Sequence, residues 1–124
     1  MGLDMTLYVT TEDIDNDNWY DSEKTHSVYW RKANAIHGFF ERLDAAENCE
    51  NNHVDREDVQ KLLDRVTEVL DNRERAGDLL PPTPGFFFGS TEIDEWYWED
   101  MEYTKKELAE LLRHEGEFYY HPWW

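Results

Sequence analysis

The stretch Leu3-Asp4-Met5-Thr6-Leu7-Tyr8-Val9 decides the fold class. Leu3, Met5, Leu7 and Val9 alternate with Asp4, Thr6 and Tyr8, the period of two that sends successive side chains to opposite faces of a sheet. A half-buried strand over 3–9 follows. A strand with one apolar face needs another layer to cover it.

Helical periodicity downstream supplies that layer. Trp30, Ala33, Ile36, Phe39, Phe40 and Leu43 recur at helical spacing, so the pattern predicts a helix over 28–46 with Ser27 as its N-cap. Gly38 lowers helix propensity there and points to a close approach of another backbone. Asp55 opens a second helix that ends near Asn72, with Asp58 at its positive pole. Val59, Leu62, Leu63, Val66, Val69 and Leu70 form its buried stripe. Pro81, Pro82 and Pro84 then exclude helix, and Gly85-Phe86-Phe87-Phe88-Gly89 reads as a short aromatic strand. Ser90 or Thr91 caps a third helix that carries Ile93, Tyr97, Met101, Thr104, Leu108 and Leu111 along one side. Glu102 and Lys106 support it as an i,i+4 pair, and Gly116 stops it. Residues 11–26 and 48–53 read as polar loops. The expectation is one α+β domain over 1–124, with three helices packed on a short two- to three-stranded sheet and residues 117–124 as an aromatic C-terminal tail.

The chain of 124 residues is long enough for one core without disulfides. Its net charge of -17 arises from 29 acidic against 12 basic residues. A field this negative repels nucleic-acid phosphates and attracts basic protein surfaces. Six Trp, seven Tyr and six Phe argue against a disordered acidic chain. The single cysteine, Cys49, excludes an intrachain disulfide. No apolar run spans a bilayer and no signal peptide is evident, so a cytoplasmic site of action is expected. Met1-Gly2-Leu3-Asp4-Met5-Thr6 fits the loose myristoylation pattern, but Leu3 and Met5 are better used in the strand. Halophilic adaptation is an alternative source of the acidity. It predicts evenly spread carboxylates and folding that needs molar salt.

Three segments carry a family resemblance. The chain opens Met1-Gly2-Leu3-Asp4-Met5, continues with Tyr29-Trp30-Arg31-Lys32-Ala33-Asn34-Ala35-Ile36-His37, and carries Gly85 to Thr91 followed by Asp94-Glu95-Trp96-Tyr97. In these it resembles a family of small, largely uncharacterised proteins of bacteriophages and prophages. The resemblance implies a viral origin and a host-cell setting, and it transfers no activity. The heavy acidic loading and the aromatic tail depart from the family's pattern.

Four groups of residues are candidates for chemistry. Asn34, His37 and Glu41 lie three and four apart along one helix edge, beside Arg31 and Lys32. With a carboxylate from Glu92, Asp94 or Glu95, His37 could serve a small enzyme as general base. The bland alternative is a buried polar network. Asp13, Asp15, Asp17 and Asp21 have the spacing of a calcium loop, but Asn18 stands where that loop needs glycine and Lys24 where it needs a bidentate glutamate. Cys49, Glu50 and His53 fall short of a zinc site by ligand count. Finally, Trp96, Trp98 and Tyr103, with Glu95, Glu99, Asp100 and Glu102 around them, and Trp123 and Trp124 in the tail, suit a basic partner. Otherwise they cover a small core or a homodimer seam. No phosphate loop, nucleophile elbow or metal helix occurs.

The leading expectation is therefore a viral accessory protein that binds a host protein with a basic surface, with no cofactor, no direct nucleic-acid contact and no membrane span. Its concrete form is inhibition of a host nucleic-acid enzyme or defence system.

Overall fold

A computed structural model describes residues 2–12, 24–85 and 87–124. Its centre is a four-stranded antiparallel sheet in the order β2-β1-β4-β3. Strand β1 is Asp4–Thr10, β2 is His26–Arg31, β3 is Asn52–Val54 and β4 is Glu117–Trp123. Helices α1 (Asn34–Arg42), α2 (Arg56–Asp71), α3 (Ala76–Leu79) and α4 (Glu95–Leu111) complete the fold. The mixed architecture is the expected one, with one more strand and one more helix.

Register explains the two faces. Met5 pairs with Trp30 and Pro122, Leu7 with Val28 and Tyr120, and Val9 with Phe118, which in turn pairs with Val54. Directly paired residues share a face, so these apolar side chains form one continuous floor, and all are buried. The opposite face carries Asp4, Thr6, Tyr8, Tyr29, Arg31, Tyr119 and His121. The floor is roofed by Ile36 and Phe40 of α1, the Val59, Leu62, Val66 and Val69 stripe of α2, and Met101, Leu108 and Leu111 of α4. The stack of Phe40 on Tyr120, 3.9 Å between centroids, joins roof to floor.

Several expectations are corrected. Residues 26–31 form a strand, and the helix begins only at Asn34, so Ser27 caps nothing. Val28 and Trp30 face inward while Ser27, Tyr29 and Arg31 face outward, which is period two hidden inside a helical spacing. Lys32 breaks the two elements apart with φ of 56°. The loop expected at 48–53 contains the start of β3. The described residues of 85–89 form no strand: Phe87 has φ of 67° and Phe88 N–H donates to Gly85 O, a turn. Asp94, rather than Ser90 or Thr91, caps α4, accepting from Trp96 N and Tyr97 N at 3.1 and 3.2 Å. Ile93 lies outside that helix and is exposed. Residues 117–123 are no tail but a strand between β1 and β3.

Gly38 does mark a close approach, to a side chain. A Cβ there would sit 2.1 Å from Thr83 Oγ1. Asn34 fixes the same crossing. It is 5% exposed, its Oδ1 accepts from Thr83 N, and its Nδ2 donates to Phe88 O and Ser90 O. Three bonds from one buried amide hold the 83–90 segment against the start of α1. Asp55 N–H donates to Asp58 Oδ2 at 3.4 Å, the carboxylate half of a capping box for α2.

Candidate functional site: a cleft between two helix starts

The junction of β2 with α1 and the start of α4 enclose a cleft of about 260 Å³. Arg31, Lys32 and the first residues of α1 line one side. Glu92, Asp94, Trp96, Tyr97, Asp100 and Met101 line the other, and Gly89 and Ser90 also border it.

Each side follows from local structure. Arg31 ends β2 on its outward face and pairs with Asp4 at 3.2 Å. Lys32 occupies the left-handed region, which a residue with a Cβ adopts only at a cost. Its stem packs on Gly89, whose own φ of 86° belongs to the same region. Helix α1, with Ala33 at its N-cap position, has no side-chain cap and no acidic residue in its first turn. Its positive end therefore adds to the two cations.

The opposite side is anionic and aromatic. Trp96 is 67% exposed. The Asp100 carboxylate has no hydrogen-bond or ion-pair partner among the described residues. Burial, then the neighbouring charges of Glu99 and Asp94, push its pKa up to about 6. A carboxylate that is hard to ionise in place is one that a bound cation would stabilise. Behind it, Trp30 Nε1 donates to Thr104 Oγ1, and the Thr104 hydroxyl donates to Asp100 O. Tyr97 Oη donates to Leu80 O at 2.8 Å. These bonds fix the α4 wall in place.

Comparison with protein-family models, with curated proteins and with solved structures found no match. The site is therefore read from its own geometry.

Of the proposed catalytic set, the cleft gathers Arg31, Asn34, Glu92 and Asp94, but neither Glu95 nor His37. Asn34 is consumed by its three bonds to the 83–90 segment. His37 is fully buried beneath the rings of Phe88 and Trp124, each 5.0 Å away. Its Nδ1 lies 2.6 Å from Tyr120 Oη, and Nε2 lies 3.1 Å from Glu41 Oε1 without hydrogen-bond alignment. Burial lowers its pKa to about 4, so the ring is neutral at neutral pH. A neutral imidazole accepts at one nitrogen only, and the Tyr120 hydroxyl is placed to donate to Nδ1. This is the buried network of the bland alternative.

The aromatic candidates divide. Trp98 is half-buried, with the Arg73 guanidinium 4.5 Å above its ring, and Arg73 also reaches Glu102 at 3.5 Å. The Tyr103 hydroxyl donates to Tyr29 O, closing part of the β2 edge. Trp124 packs its edge on His37 and Phe88. Trp123, 56% exposed, stands opposite Asp4 on the outer sheet face. Glu99 is exposed next to Asp100 on α4. In the sequence Trp96 and Asp100 stand in one candidate group and Lys32 in another, and nothing there shows that all three line one cleft. The signal was the alternation of 27–31, which places a strand-to-helix junction beside the α4 start.

For metals, His53 Nε2 bonds Glu117 Oε2 at 2.7 Å, and Cys49 is exposed. Among the described residues no group of three or more His, Cys, Asp or Glu is arranged to hold a metal ion. Asp13, Asp15, Asp17 and Asp21 lie outside the described residues. No described helix is long and apolar enough to cross a membrane.

Proposed function

We propose that the protein is a viral accessory protein that binds a basic host protein in the host cytoplasm through the acidic, aromatic side of the cleft. Its target class is the enzymes and defence factors that act on nucleic acid. The observation that carries this reading is Trp96, 67% exposed and flanked by Glu92, Asp94, Glu95, Glu99 and Asp100. An exposed indole beside under-compensated carboxylates offers both cation–π and ion-pair contacts to an arginine or lysine. The net charge of -17 steers a basic partner toward it. The viral setting draws its support from the three sequence segments that resemble the phage family. An acidic array of this kind competes with phosphates for the basic surface of such an enzyme.

The test is affinity capture from host cells at low and high salt, with wild type and a Trp96→Ala/Glu99→Gln variant side by side. The expected result is one basic protein recovered at low salt, lost at high salt, and depleted by the variant. If the variant captures the same proteins as wild type, the reading fails.

A further inference from the structure

The cleft carries more than an acidic face. Two cations and an uncapped helix start stand across from three carboxylates, in a protein where acids outnumber bases more than two to one. A site built only to receive a basic side chain has no use for Arg31 and Lys32, which would repel it. Opposite charges on facing walls, with Trp96, Tyr97 and Met101 beside them, suit a ligand that is itself a zwitterion with an apolar stem. At about 260 Å³ the cleft falls below the range of roughly 300–1,000 Å³ for drug-sized ligands, which limits the ligand to the scale of one amino-acid residue.

We propose that this cleft binds a basic residue bearing a free α-carboxylate, that is, arginine or lysine either as the free amino acid or as the last residue of a polypeptide. The proposal deepens the preceding reading, since it rests on the α4 wall receiving a cationic side chain. The carboxylate lies against Arg31, Lys32 and the start of α1, where helix dipole and cations both favour an anion. The guanidinium or ammonium lies toward Asp100 and Glu92, with its stem along Trp96. Asp94 keeps Oδ1 on the α4 cap and also lines the cleft.

Three observations support this. Lys32 lines the cleft with no ion pair among the described residues, and its stem runs along Gly89. Its left-handed backbone, costly for lysine, is held at this junction. Asp100 is left without a partner on the other wall, and its raised pKa falls when a cation sits beside it.

Calorimetric titration of the full chain at neutral pH and low salt tests the proposal. The probes are L-arginine, L-argininamide, the tripeptide Gly-Gly-Arg and its C-terminal amide. At least one acid should bind, and amidation should weaken it by about tenfold or more, since the amide leaves the cationic wall unpaired. Lys32→Gln and Asp100→Asn should each weaken the acid by a similar factor. Arg31→Gln, at an exposed strand end, serves as a second cationic-wall variant should Lys32→Gln fail to fold by thermal unfolding. Binding of L-arginine without the tripeptide identifies a free amino acid, and the reverse identifies a chain end. Equal binding of acids and amides, or no binding of either acid, overturns the proposal. Retained, Trp96-dependent capture of a host protein would then leave the protein-binding reading standing, and its loss would remove that reading separately.

Discussion

His37 is the residue whose chemistry changes most between sequence and structure. As one member of an Asn-x-x-His-x-x-x-Glu edge it reads as a general base. In the fold it is fully buried, its Nδ1 facing the Tyr120 hydroxyl and its ring boxed by Phe88 and Trp124. Burial that drives its pKa to about 4 also keeps substrate away. Tyr120 is equally buried, and its pKa is raised well above the ordinary value, so its proton stays on the hydroxyl. The hydroxyl and Nδ1 of the imidazole satisfy each other inside the core. Removing one leaves an unsatisfied group there, at a cost of about 1–3 kcal/mol. His37→Phe and Tyr120→Phe should each destabilise by that amount. The double variant should lose less than the sum, with a coupling of about 1 kcal/mol in a denaturant-unfolding cycle. Strict additivity would show that the pair does not interact.

The elements differ in how plainly the sequence declares them. Strand β1 and helix α2 were legible because each repeats one period over its length. The 26–42 segment was not, because Trp30, Ala33 and Ile36 satisfy a spacing of three while Val28 and Trp30 also satisfy a spacing of two. What separates strand from helix there is the left-handed Lys32, and no composition rule predicts a lysine in that region. Strand β3 has three residues and is formed by pairing with β4 rather than by its own propensity. The cleft was illegible for the same reason, since its walls meet only once the 83–90 segment crosses α1. Asn34 holds that crossing. Asn34→Ala should cost about 2–4 kcal/mol, because it removes three buried hydrogen bonds and strands the Thr83 N–H. Hydrogen exchange at Thr83 should accelerate far more than exchange in α2. Uniform acceleration across both would mean that Asn34 has no special hold on the segment.

At the scale of the whole molecule, self-repulsion is the dominant electrostatic fact. The described ion pairs between Arg and Asp or Glu, such as Arg31–Asp4 and Arg75–Glu68, involve partly exposed side chains, where each pair contributes little. Added salt should therefore raise stability by screening like charges rather than lower it by breaking pairs. A stability that falls steadily with added salt would contradict this. Halophilic adaptation makes the stronger demand that the chain fail to fold at all in dilute salt. The core of Leu, Val, Phe and Tyr over four strands and three long helices argues for folding there too. Acid pH sets two desolvated groups against each other in the stability of the whole chain. Asp100 has a folded pKa near 6 against its ordinary 3.8. The native state thus holds the extra proton across that window, and stability falls as pH rises through it. His37 has a folded pKa near 4 against 6.5. There the unfolded state holds the extra proton, and stability is lost as pH falls from 6.5 toward 4. In wild type the two slopes oppose each other between about 4 and 6. Asp100→Asn removes one of them. The variant should be more stable than wild type at neutral pH by about 1 kcal/mol, after discounting for solvent screening of a partly exposed side chain. Its stability should then drop more steeply than that of wild type on acidification, because the His37 slope is unopposed. Urea unfolding of both proteins at several pH values across the window reads this directly. If Asp100→Asn brings no gain at neutral pH, or keeps the wild-type slope on acidification, then Asp100 is ionised at little cost and the anionic wall has no unmet demand for a cation.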